Sequence, residues 1–287
     1  MFFLFIFILG LLFGSFLNVV IFWLESNAGE DEEIKLGAKN FRKHLGGRSF
    51  CPSCKHQLNS KDLIPVISWV FLKARCRFCK EKISVQYPLV ELFTGLIFLT
   101  TFLYFRSEIF SAISYWLLAV GITKLVLLLT VNCLLLIVFV YDLKHKIIPD
   151  KIIYPAIVLA LSYWLLAIGA NYLYGNISLA SSLYPLLSAF GVGGFFYFLA
   201  TVSDGKWMGG GDIKLVFLMG LLLGFPNILP AMFIGFISGA VVGVVLIILG
   251  KKKLQSEIPF GPFLIAGTWI TLFWGDKVVE WYLRAFL

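Results

Sequence analysis

MFFLFIFILGLLFGSFLNVVIFWL, residues 1–24, carries no charged side chain from end to end. A helix crosses the hydrocarbon core of a bilayer in about 20 residues, so this run alone is long enough to span one. It has no basic segment ahead of it and no small-residue cleavage site behind it, and is therefore expected to be a retained helix rather than a removed signal. Seven further apolar runs follow: 87–105, 109–141, 152–170, 183–202, 213–225, 228–249 and 259–274. The run 109–141 is too long for one untilted crossing, so its membrane part is placed at 120–141 and 109–119 is expected to form an outer or interfacial segment. The run 213–225 is the shortest. The fold class expected is an all-α polytopic membrane protein of about eight transmembrane helices. Its segments are a first helix (1–24), a polar loop (25–86) and a membrane domain (87–287).

Composition agrees. Of 287 residues, 60% are hydrophobic and 14% charged, and mean hydropathy is +0.91. A soluble domain carries about a quarter charged residues, so most of this surface must face lipid. The net charge of +8 could point to nucleic acid, but its placement argues otherwise. With eight spans, the loops on one side are 25–86, 142–151, 203–212 and 250–258, and these hold 12, 3, 1 and 3 Lys or Arg, 19 of the 24 in the chain. The positive-inside rule makes that side cytoplasmic and puts both termini outside. No nucleic-acid role is expected. Gly10 and Gly14, and again Gly235, Gly239 and Gly243, recur every four residues, which suits close helix packing.

The polar loop contains Cys51-Pro-Ser-Cys54 and Cys76-Arg-Phe-Cys79. Two such pairs, 21 residues apart, turn four thiolates toward one point and suit a tetrahedral zinc site. With four Cys ligands no coordination position is left open, so the metal is expected to be structural, in a small zinc-ribbon-like loop. Arg48, Lys55, Arg75, Arg77 and Lys80 would offset the thiolate charge. The competing reading, disulfides or redox pairs, suits a cytoplasmic loop poorly. Cys133, alone in a span, reads as packing. The run Glu30 to Glu33 reads as a solvated face.

Two of the 16 acids stand at the inner ends of spans. Asp142 closes one helix in Tyr141-Asp142-Leu-Lys-His-Lys-Ile-Ile-Pro149-Asp150, and Asp212 opens another in Met208-Gly-Gly-Gly-Asp212-Ile-Lys214. Ionisable groups at membrane depth are costly and tend to mark function. An Asp that opens a helix also caps it, a competing account of Asp212 and the preferred one for Asp150; Asp204 reads as a turn residue. Gly209–Gly211 allow close backbone approach and unusual dihedrals beside Asp212. Two carboxyl groups sharing a site divide one proton between them, and the ionised one can draw a proton from the water that attacks a peptide carbonyl. That is aspartic proteolysis, with Asp142 and Asp212 as the catalytic pair.

In order along the chain, Gly14-Ser15-Phe16-Leu17-Asn18, the paired knuckles, Ile64-Pro65-Val66, Tyr87-Pro88-Leu89-Val90-Glu91, Ile148-Pro149-Asp150 and Gly209-Gly-Gly-Asp212 resemble the type IV prepilin leader peptidases. The resemblance implies a bifunctional membrane enzyme of GxGD type with its site facing the cytoplasm. It would remove the basic leader from type IV prepilins or type II secretion pseudopilins. It would then N-methylate the new N-terminus, with S-adenosylmethionine as donor. The family's two catalytic aspartates fall on Asp142 and Asp212, and its zinc loop on Cys51, Cys54, Cys76 and Cys79. No glycine-rich strand-turn-helix signature marks a donor pocket. An ion-coupled transporter also carries intramembrane acids, but wants them near mid-membrane; a zinc-bearing scaffold would leave both aspartates dispensable.

Overall fold

In lipid, a backbone must satisfy its own N–H and C=O groups, and apolar stretches of spanning length do so as helix. The computed structural model describes residues 1–27, 49–110, 115–173, 179–205, 208–250 and 258–286. Its helices are α1 (Phe2–Asn27), α2 (Ile67–Phe71), α3 (Gln86–Phe110), α4 (Tyr115–His145), α5 (Asp150–Leu173), α6 (Leu179–Val202), α7 (Gly210–Leu223), α8 (Ile228–Ile248) and α9 (Gly261–Phe286). All but the short α2 fall on the eight apolar runs. Six of them, α1, α3, α4, α5, α6 and α8, are long and apolar enough to cross a membrane. At 14 residues α7 is only about 21 Å long. The second half of α9 carries Asp276, Lys277, Glu280 and Arg284, which interrupt its apolar stretch.

The stretch 109–119, expected as an outer or interfacial segment, lies mostly between the candidate spans Gln86–Ser107 and Leu117–His145. Phe110 ends α3 and Tyr115 starts α4, so its residues belong to two helix ends, with 111–114 outside the described residues. Arg48 and the Glu30–Glu33 run also lie outside them.

The chain divides into two compact units, Met1–Leu103 and Tyr104–Leu287. In the first, α1 and α3 run antiparallel with small residues at the seam. A Cβ added to Gly10 would lie 2.7 Å from Gly95 Cα, and one on Gly14 would lie 2.6 Å from Glu91 Cα, so only glycine allows this approach. One turn further along α1, buried Asn18 donates from Nδ2 to the Tyr87 carbonyl at 3.1 Å. In the second unit, α7 packs against α5, α6 and α9, and α8 packs against α9. Gly220 sets the backbone of α7 against Ala189 of α6, while Gly235 and Gly239 of α8 lie against Leu264 and Phe263 of α9. The expected packing role of the spaced glycines is therefore what is observed. Midway along α4 and α9, Trp269 Nε1 donates to Oδ1 of fully buried Asn132 at 3.1 Å.

Candidate functional site: two aspartates and four thiols

Asp142 lies in the last turn of α4. Its carbonyl accepts the N–H of Lys146, which takes the left-handed conformation (φ 56°) and turns the chain out of the helix. The side chain is 4% exposed, and its Oδ2 is buried without a hydrogen-bond partner. Opposite it, Phe260 caps α9, accepting the N–H groups of Phe263 and Leu264, so Gly261 is the first helical residue. A Cβ on Gly261 would lie 2.6 Å from Asp142 Oδ2. The unspent amide end of a helix thus faces the carboxyl group.

Asp212 lies in the first turn of α7, whose cap is Gly209 in extended conformation (φ −74°, ψ 148°). It is half-buried, and its Oδ2 turns back to 3.6 Å from where a Cβ on Gly209 would stand. The three glycines work differently from the expectation. None has positive φ, and Gly209 and Gly210 have room beside them. Only Gly211 is closely packed: a Cβ there would lie 2.9 Å from Ile148 Cβ. The need is for close approach, not unusual dihedrals.

Ile148 is the link between the aspartates. It is buried, and its Cδ1 also stands 3.5 Å from the Cβ position of Gly261. The α4–α5 connection thus carries Asp142 at its start and wedges Ile148 between the glycine beside Asp212 and the glycine over Asp142. Asp150 does not cap α5 as expected. Pro149 supplies the capping carbonyl, to Ile152 and Ile153, and the Asp150 carboxylate accepts from Lys214 Nζ of α7 at 2.6 Å. Lys214 also lies over the Tyr154 ring, 4.9 Å from its centre. Asp204 does form a turn, with φ 48°.

In the first unit the four Sγ atoms of Cys51, Cys54, Cys76 and Cys79 all lie within 4.8 Å of one another and could hold a metal ion; all four are free thiols. The two knuckles repeat one design. Cys51 and Cys76 accept the N–H of Lys55 and Lys80, each with positive φ (57° and 61°). Each knuckle closes on a single antiparallel bridge, Phe50 to Gln57 and Arg75 to Lys82. No strand forms among the described residues, so the ribbon is reduced to these bridges. Backbone N–H groups of Cys54 and Ser53 hold the Cys51 thiol down to about 7, against desolvation. Cys79 goes the other way, to about 11: the Glu81 N–H favours its thiolate, but partial desolvation and the sulfurs of Cys76, Cys54 and Cys51 outweigh it. One proton shared among crowded sulfurs gives that split. Of the expected balancing cations, Arg77 is instead paired with Asp62 at 2.7 Å. Cys133 is buried in α4, as packing requires.

Fold and site together define a polytopic helical membrane protein with a four-thiol site in its first unit and two converging aspartates in its second. Residues 8–105 match the bacterial peptidase A24 N-terminal domain, and residues 128–244 match the type IV leader peptidase family. A prepilin leader peptidase/N-methyltransferase of Aeromonas hydrophila is 32% identical over 296 residues, covering 98% of this chain and 94% of the relative. Proteins of the same name from Stutzerimonas stutzeri and Pseudomonas aeruginosa are 32% and 30% identical, each over 96% of this chain and 92% of theirs. The chain belongs to the type IV leader peptidase family. No solved structure gives a significant match to it.

Gly261 and Ile148 are the site residues that sequence reasoning missed. Ile148-Pro149 stood in a quoted motif, but its partner glycines lie about 60 and 110 residues away, and nothing local announces them.

Proposed function

We propose that this protein is a membrane aspartic endopeptidase that removes the leader of type IV prepilins or type II secretion pseudopilins and N-methylates the new N-terminus. The observation that supports the peptidase half is the packing of Ile148 against both Gly211, the neighbour of Asp212, and Gly261, which abuts Asp142. One carboxyl group holds a proton and the other is ionised. The carboxylate takes a proton from water, whose oxygen attacks the scissile carbonyl while the protonated partner donates to the carbonyl oxygen. Collapse of the tetrahedral intermediate breaks the C–N bond: the leaving amine takes its proton from the acid newly formed, and a hydroxyl proton of the intermediate returns to the partner that had donated to the carbonyl oxygen, restoring the starting pair. Oδ2 of Asp142 is buried and has no hydrogen-bond partner of its own, so its hydrogen-bonding capacity is unspent. The N-terminal end of α9 at Gly261 faces this carboxyl group and favours its charged form.

The four thiols suit a structural Zn²⁺. A tetrahedral ion with Zn–S near 2.3 Å separates its sulfurs by about 3.8 Å, and Cys51 and Cys79 stand 3.8 Å apart. S-adenosylmethionine would supply the methyl group; no residue is assigned to it. Eight crossings, with the basic loops and the aspartates cytoplasmic and both termini outside, fit the charge distribution. Single-turnover cleavage of a membrane-inserted prepilin by wild type, Asp142→Asn and Asp212→Asn proteins tests the pair. Each variant should lose cleavage while keeping its fold, and wild-type cleavage by either would refute the assignment.

A further inference from the structure

The first unit carries an apolar face that neither the metal site nor the aspartate pair uses. Ile64, Ile67, Val70 and Phe71 are spaced to lie on one side of the short turn that contains α2, and they are 43%, 53%, 60% and 82% exposed. A groove of about 450 Å³ lies along it, lined by Lys61, Ile64, Ile67, Ser68, Phe71 and Arg77. In a water-exposed loop such a stripe would be a liability.

The helix register shows where the stripe sits. Four pairs match α1 to α3 in antiparallel order: Phe3 with Phe102, Gly10 with Gly95, Gly14 with Glu91, and Asn18 with Tyr87. Because α3 begins at Gln86, the stretch Val19–Asn27 of α1 runs on past it, and Val19–Leu24 is wholly apolar. The first charge on α1 is Glu25, seven residues or about 10 Å beyond Asn18. The Val66 N–H donates to Oε2 of buried Glu91 at 2.7 Å, one turn deeper than Tyr87. This bond fixes the start of α2, whose cap Val66 takes a positive φ of 59° to reach it. The stripe therefore begins about 10 Å on the membrane side of the polar end of α1.

We propose that residues 64–72 form an interfacial segment embedded in the leaflet on the loop's side. Its groove takes an anionic phospholipid, with acyl carbons against Ile64, Ile67 and Phe71 and the phosphate at Lys61. The charge around the stripe argues for an anionic lipid. Lys61, Lys73, Arg75 and Arg77 flank it, against Asp62 alone, which Arg77 already engages. Long cationic side chains at an apolar rim reach the headgroup level while their stems stay in the apolar layer. A pilin helix, or a second copy of this chain, would meet the stripe as protein and is the competing occupant.

The test uses the full-length protein in nanodiscs of equimolar phosphatidylglycerol and phosphatidylcholine, with p-benzoylphenylalanine in place of Phe71 and, separately, of Val70. Metal content equal to wild type reports that the loop is folded. Irradiation should yield protein–lipid adducts by intact mass, with phosphatidylglycerol adducts outnumbering phosphatidylcholine adducts by about five to one, as one basic residue close to an anionic headgroup implies. Lys61→Gln should abolish the enrichment and keep the adducts. Adducts to protein, with or without added prepilin, or no adduct at either position in folded protein, would overturn the embedding. Equal labelling of the two lipids would overturn the preference for an anionic lipid.

Discussion

Replacing Gly261 with alanine would place a methyl carbon 2.6 Å from Asp142 Oδ2 and 3.3 Å from its Cγ. An ordinary carbon–oxygen contact is about 3.3 Å or longer, so the carboxyl group must retreat by about 0.7 Å. It can do so, because Oδ2 is the free end of a side chain without a hydrogen-bond partner of its own. Helix propensity at Gly261 favours alanine. Net stability should therefore change by no more than about 1 kcal/mol. Catalysis should not be so tolerant, since a misplacement approaching 1 Å at a reacting group can cost about 100-fold, or about 2.7 kcal/mol of barrier. The assay is single-turnover cleavage of a membrane-inserted prepilin at saturating enzyme, beside a thermal melt and metal analysis. The expected result is a rate near one-hundredth of wild type with melting point and metal unchanged. A near-wild-type rate would show that the Asp142 carboxyl group does not act from its observed position, and the aspartate reading of the site would fail with it.

Gly211→Ala should behave differently, because its new Cβ meets Ile148 Cβ at 2.9 Å, an atom fixed to the backbone; a loss of about 1–3 kcal/mol should appear in the melt alongside lost cleavage. Lys214→Met should cost under about 1 kcal/mol, since the Asp150 carboxylate it leaves is 59% exposed, and reversing the pair should recover what is lost in low salt. Replacing any one of Cys51, Cys54, Cys76 or Cys79 with Ser should drop bound zinc from one per chain to near none by elemental analysis. Zinc retention should also fall with pH. Metal binding requires the four thiols as thiolates, so protons compete with the ion increasingly as pH falls.

The helices were legible because lipid imposes one solution on an apolar run, and the eight runs coincide with eight helices. Helix ends were less so. Residues 109–119 contain no charged side chain, so nothing inside that run marked where α3 ends at Phe110 and α4 starts at Tyr115. The knuckles were legible because four sulfurs must sit at fixed short spacing to share an ion. Asp142 and Asp212 stood out by charge in an apolar context. Their supports did not: Gly261 looks like any glycine at a helix start, and Asp150 after Pro149 looks like a cap. Only the folded chain shows that one abuts Asp142 and the other holds Lys214.

The bond between Asn132 and Trp269 has a bearing on the aspartate site that its distance from it conceals. The same two helices meet again at Asp142 and Gly261, ten residues along α4 and eight back along α9, about 15 and 12 Å respectively. A rod pinned at two heights can neither turn about its axis nor slide. A substitution within α9 leaves that spacing along the helix unchanged, whereas one residue inserted between 261 and 269 would rotate the start of α9 by about 100° and carry Gly261 off the carboxyl group. The length of the stretch, and not only its side chains, therefore sets where Gly261 stands.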